Sequence, residues 1–146
     1  MHFRTAWSDY FTTTNITNLN SQIYDSRQTP SYTNLYISNC LFKSISSTSD
    51  GGALCCTSVT YLLVESTSFF YCSTNTQNGG AIFFSTSNGQ CVLYEVCGYY
   101  CCSTYTSYSY GQFVCTSVNN GIKSKNYVNY SSISRCMNQI STSHHV

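Results

Sequence analysis

Asp50-Gly51-Gly52-Ala53-Leu54-Cys55-Cys56 returns twenty-eight residues later as Asn78-Gly79-Gly80-Ala81-Ile82-Phe83-Phe84, and in weaker form as Tyr110-Gly111-Gln112-Phe113-Val114-Cys115. A glycine pair followed by a small residue and then apolar ones suits a tight bend running into a buried strand, because glycine accepts positive φ and close backbone approach. Gly51, Gly52, Gly79, Gly80 and Gly111 are therefore read as structural turns. Recurrence at a spacing of about 20 to 50 residues marks a stacked architecture.

The stretch before each step repeats as well. Leu35-Tyr36-Ile37-Ser38-Asn39-Cys40-Leu41-Phe42 alternates in strand fashion, and a shift of 27 carries Leu35, Ile37, Cys40, Phe42 and Ile45 onto Leu62, Val64, Thr67, Phe69 and Cys72. A further shift of 30 places Val92, Tyr94, Cys97, Tyr99 and Cys102 on that set. Ile133-Ser134-Arg135-Cys136-Met137 echoes Ile37-Ser38-Asn39-Cys40-Leu41 as a partial fourth copy. No window carries apolar residues at helical spacing; short runs rich in Val, Ile, Tyr, Phe, Thr and Cys are punctuated by Gly, Asn and Ser. Each copy holds about three short strands and cannot bury its own face, whereas copies stacked at about 4.8 Å per rung close a core. The predicted fold is an all-β parallel β-helix, a solenoid of about four rungs. A jelly roll or antiparallel sandwich is the competing reading, and it does not require the Gly-Gly-Ala step to recur in register.

Residues 1–32 are expected to form an irregular lead-in segment or cap, or a degenerate first turn, with Pro30 marking its end. Residues 33–146 carry the repeats. Ten cysteines without Cys-x-x-Cys spacing point to a secreted or surface location, with a disulfide framework and a column of core thiols both open. In Cys55-Cys56 and Cys101-Cys102, one member of each pair is expected to face inward. The first residues hold no apolar run of the signal-peptide kind and no later stretch reaches transmembrane length, so a fragment of a longer secreted protein is expected. Charged residues are 8% of the chain and the net charge is +1. The six basic residues are scattered, which argues against nucleic acid as a partner.

Cys or Thr, one residue, an aromatic, a Ser/Thr/Asn loop and then Gly-Gly-Ala-[Leu/Ile] together resemble the repeats of the polymorphic outer membrane proteins. Asn88-Gly89-Gln90-Cys91-Val92-Leu93-Tyr94-Glu95-Val96-Cys97-Gly98-Tyr99 and Ser124-Lys125-Asn126-Tyr127-Val128-Asn129-Tyr130 are similar to Cys-, Tyr- and Asn-rich surface proteins of parasitic protists. The resemblance spans about residues 35 to 136. It implies a right-handed parallel β-helix displayed at a cell surface, adhesin-like or structural, without catalytic residues to carry over. The chain departs from the bacterial pattern where Phe-x-x-Asn would stand, since Phe42 is followed by Ile45 and Phe69 by Cys72.

Parallel β-helices also host polysaccharide lyases and hydrolases that use acids on adjacent rungs, so a carbohydrate-active enzyme is the alternative function. Glu65 and Glu95 are 30 apart and are predicted to stack; the plainer reading is a solvated turn position that carries Glu twice. Tyr105, Tyr108 and Tyr110 alternate with polar residues and are candidates for binding a protein or glycan, set against an outer strand whose tyrosines cover a neighbouring rung. Asn15 and Asn129 head N-glycosylation sequons. No cofactor or metal is expected, because His2, His144 and His145 lie at the chain ends. Neighbouring rungs of a longer chain, or other copies, are the remaining partners that exposed end rungs would take.

Overall fold

A computed structural model of the chain describes residues 6–76, 78–105, 109–118 and 125–136. A one-turn helix, α1 (Trp7–Tyr10), precedes a partial first coil with β1 (Thr17–Asn20) and β2 (Ile23–Tyr24). The second coil runs through β3 (Asn34–Ser38), β4 (Leu41–Lys43), β5 (Ser46–Ser47) and β6 (Leu54–Cys56). The third repeats this with β7 (Tyr61–Glu65), β8 (Ser68–Phe70), β9 (Ser73–Thr74) and β10 (Ile82–Ser85). The fourth has β11 (Gln90–Tyr94), β12 (Cys97–Tyr99), β13 (Cys102–Ser103) and β14 (Val114–Ser117), and a last partial coil has β15 (Asn126–Asn129) and β16 (Ser132–Ser134).

Like strands stack into four parallel walls: β1-β3-β7-β11-β15, β2-β4-β8-β12-β16, β5-β9-β13 and β6-β10-β14. The fold is thus an all-β parallel solenoid, with three full coils between two partial ones. A full coil carries four strands where about three were expected, because the two-residue strands β5, β9 and β13 are too short to show an alternation in sequence. The lead-in contributes β1 and β2, hydrogen-bonded to β3 and β4. Its turn-rich composition hid two very short strands.

Register corrects the expected third copy. Leu35 pairs with Leu62 as expected, but Leu62 pairs with Cys91 and Val64 with Leu93, a shift of 29 and not 30. A one-residue slip turns every side chain to the opposite face, so Cys91 and Leu93 point into the core and Tyr94 points out. The partial fourth copy also moves: Ile133 lies opposite Gly98, in the column of Phe42 and Phe69, and not in that of Ile37. The first error arose because apolar residues occupy both faces of β7 and β11, and the second because the Ile-Ser-x-Cys pattern of the first wall recurs at the end of the second. The outer face of the first wall is covered by the lead-in, where Trp7 and Phe11 pack on Leu63 and Val92.

Walls meet at one-residue left-handed corners. Ser21, Asn39, Ser66, Glu95 and Tyr130 turn the chain from the first wall to the second at φ of 46 to 56°. Ser44, Tyr71 and Tyr100 turn it from the second to the third at 50 to 55°, and Arg135, just past β16, holds a φ of 52°. Gly51, Gly79 and Gly111, at 70, 62 and 65°, make the turn before the fourth wall. The second glycine of the step answers a different demand. A Cβ on Gly52 would lie 2.1 Å from the Gly80 carbonyl oxygen, and one on Gly80 would lie 2.0 Å from that of Gln112. Gln112 carries a side chain at this position because no described strand stacks on β14.

Inside, Tyr24, Phe42 and Phe69 form a stacked column with ring centroids 4.6 Å apart at each step. The column stops at Gly98, whose place is filled from the fourth wall by Phe113, edge-on to Phe69 at 5.7 Å. Coils that carry Phe in the second wall carry Ala53 or Ala81 in the step; the coil with Gly98 carries Phe113. The large side chain has changed walls while the coil keeps its filled volume.

Candidate functional site

Inward hydroxyls and thiols at the corners close the backbone hydrogen bonding. Thr67 Oγ1 accepts from the Cys40 N–H at 3.2 Å and donates to the Glu65 carbonyl at 2.8 Å. Ser131 does the same between Val96 N–H and the Asn129 carbonyl. At the next corner cysteine takes this part: the thiols of Cys72, Cys101 and Cys136 donate to the carbonyls two residues back, of Phe70, Tyr99 and Ser134. A thiol is small and apolar enough for the core yet retains a weak donor. All ten cysteines are free thiols in this structure, and in each adjacent pair one faces inward: Cys56 and Cys101 are buried, Cys55 and Cys102 half-buried. Burial pushes the Cys91 thiol up to about 12.

The proposed acid pair does not form as expected. Glu65 lies opposite Tyr94, while Glu95 sits one residue further on at a corner. Glu65 is buried on the outer face of the first wall and accepts a hydrogen bond from the Tyr36 hydroxyl. Glu95 accepts one from Ser66 Oγ at 3.0 Å. The two carboxylates thus belong to different columns, and the spacing of 30 overstated their kinship. Asp50 and Asn78 stack at the glycine turn, with Asn78 Nδ2 donating to Asp50 Oδ2 at 2.9 Å.

Of the tyrosine candidates, Tyr110 is 63% exposed and extends the Asn78 column at the glycine turn, where its carbonyl accepts from Gly79 N–H. Tyr105 is exposed just past the third wall, its N–H donating to Ser103 Oγ. Tyr108 lies outside the described residues. Asn15 and Asn129 are both exposed.

A different aromatic cluster stands on the outer side of the second wall and its corner. Tyr71 and Tyr100 stack at 5.4 Å with 9° between their planes, and Tyr99 meets both edge-on at 5.9 and 4.7 Å. Phe70 contacts Tyr99 at 6.3 Å. The Arg135 guanidinium lies 5.5 Å from the Tyr100 ring centre, and its Nη1 donates to the Tyr100 hydroxyl of the preceding coil at 2.7 Å. Across the same wall an open groove of about 660 Å³ runs between Asn39, Ser66, Ser68, Glu95, Cys97 and Ser132. One face thus places aromatic rings and a cation at one margin, and hydroxyls with a carboxylate at the other. The signal lay in Phe69-Phe70-Tyr71 and Gly98-Tyr99-Tyr100, which recur at 29, the spacing that the slipped register concealed.

Among the described residues no group of three or more His, Cys, Asp or Glu side chains is placed to hold a metal ion, and no helix is long and apolar enough to cross a membrane. Comparison with curated proteins and with solved structures finds no match to the chain. Residues 39–57, from the Asn39 corner through β4, β5 and the Gly51-Gly52 turn to the end of β6, match the Chlamydia polymorphic membrane protein repeat. The matched segment falls within the second coil of the solenoid, which is thus similar to a polymorphic membrane protein repeat over residues 39–57.

Proposed function

We propose that the chain is a surface-exposed, adhesin-like interaction module, non-catalytic, that presents the outer side of its second wall to a protein or glycan. The observation that carries this reading is the matched repeat, joined to a rigid stack in which side chains of successive coils form continuous columns. Tyr supplies broad, amphipathic contact area at low entropic cost, and Tyr71, Tyr99 and Tyr100 are already held by one another. The exposed sequon residues Asn15 and Asn129 fit passage through a secretory route. Extracellular or cell-surface placement belongs to the same proposal.

The test is adhesion of beads coated with the purified chain to cultured cells, compared with beads coated with the Tyr71→Ser/Tyr100→Ser variant. The expected result is adhesion by the parent and its loss in a variant with unchanged circular dichroism. Equal adhesion by both would remove the aromatic face from the role, and no adhesion by the parent would remove the role itself.

A further inference from the structure

Among the described residues, one column alone places cysteines on consecutive coils. Cys72, Cys101 and Cys136 each stand two residues past a paired second-wall position, Phe70, Tyr99 and Ser134, with Tyr99 opposite both Phe70 and Ser134. The other columns interrupt the thiols: Cys40 stacks with Thr67, Cys91 lies between Leu62 and Asn126, Cys97 lies between Ser68 and Ser132, and Phe83 separates Cys55 from Cys115. Within the thiol column, Cys136 Sγ accepts a hydrogen bond from Cys101 N–H at 3.4 Å. Adjacent parallel strands lie about 4.8 Å apart, inside the Cα separation of about 4.4 to 6.8 Å that a disulfide spans. Cys72 and Cys101 are fully buried, whereas Cys136 is half-buried. An oxidant therefore reaches the column at Cys136.

We propose that Cys101 and Cys136 form an intramolecular disulfide by exchange with a small-molecule disulfide such as oxidised glutathione. The Cys136 thiolate attacks one glutathione sulfur, breaking its S–S bond, forming the mixed disulfide and releasing one glutathione thiolate. The Cys101 thiolate then attacks the Cys136 sulfur, forming the protein disulfide and releasing the second glutathione. Two protein thiols lose two electrons and two protons, and one glutathione disulfide becomes two glutathione thiols. The bond ties β15 and β16, whose residues are exposed along their length, to the buried stack. The nearby Cys136 thiol favours the Cys101 thiolate, but the Cys72 thiol and burial push Cys101 up to about 12, and the Cys101 thiol and burial raise Cys136, the attacking group, as well, so the exchange runs faster as pH rises. This inference does not rest on the surface role.

The test equilibrates the folded full chain in a glutathione redox buffer, alkylates the remaining thiols, and maps the unreduced protein after digestion with trypsin and chymotrypsin. The expected product joins the peptide Cys101–Tyr105 to the peptide that begins at Cys136. Cys102 lies in the same peptide and near Cys136, so the Cys102→Ser variant is mapped in parallel and must retain the link. Loss of the link in that variant, alkylation of both Cys101 and Cys136, or a dominant bridge between other cysteines would each overturn the proposal.

Discussion

Exchanging the large and small side chains of the fourth coil tests whether the core is filled by columns. Phe113→Ala deletes a buried ring that is 4% exposed and packs on Phe69, leaving a cavity beside Gly98, at a cost of about 3 to 5 kcal/mol. Gly98→Phe alone forces a Cβ to within 2.5 Å of the Phe113 ring, an overpacking worth at least about 1 to 3 kcal/mol. The double variant Gly98→Phe/Phe113→Ala recreates the arrangement of the second and third coils, where Phe42 faces Ala53 and Phe69 faces Ala81. Gly98 has no positive φ, so a side chain meets no backbone strain there. The double variant should fall within about 1.5 kcal/mol of the parent, as volume-conserving swaps do. The coupling between the two sites is then about 3 kcal/mol or more in the restoring direction, at the top of what neighbouring residues show. Urea unfolding followed by circular dichroism under reducing conditions gives the four stabilities of the cycle. Additive losses, with the double variant least stable of all, would refute the shared column.

The second glycine of the step should be intolerant where a coil lies above it: Gly80→Ala drives its Cβ to 2.0 Å from a backbone oxygen and should cost more than about 2 kcal/mol, while Gln112→Gly should stay within about 1 kcal/mol of the parent. At the corners, Ser44 holds φ of 55° with its side chain exposed, so Ser44→Gly should raise stability by up to about 1 kcal/mol in the same assay. Stability should also fall at alkaline pH. Cys91 ionises near 9 when unfolded but at about 12 when folded, so its contribution is complete below pH 9 and is lost as pH rises from 9 to 12. The slope is about 1.4 kcal/mol per pH unit for this thiol. Cys91→Ala should flatten the slope in pH-dependent urea titrations, and an unchanged slope would assign the loss to other groups.

The glycine step was the most legible part of the fold, because positive φ at Gly51, Gly79 and Gly111, and backbone contact at Gly52 and Gly80, leave few residue choices. The pairing of Leu35 with Leu62 was legible for the same reason: one face is buried and one spacing satisfies it. The next coil was not, since Leu63 and Val92 are buried under Trp7 and Phe11 and the apolar pattern no longer distinguishes inside from outside. That single slip placed Glu95 in the column of Glu65 and concealed Tyr71 over Tyr100. Corners at Tyr71, Glu95 and Tyr100 were invisible in sequence because these residue types carry no preference for left-handed φ. The outer aromatic face is readable only once the correct register is known.

Scalar couplings across hydrogen bonds in isotope-labelled protein test the stack most directly, because each names a donor and an acceptor on different coils. The expected signals join the Ser66 amide to the Tyr94 carbonyl, the Tyr71 amide to the Tyr99 carbonyl and the Gly79 amide to the Tyr110 carbonyl. Coupling of the Ser66 amide to the Glu95 carbonyl would restore the shift of 30, and couplings of an antiparallel pattern would contradict the solenoid itself.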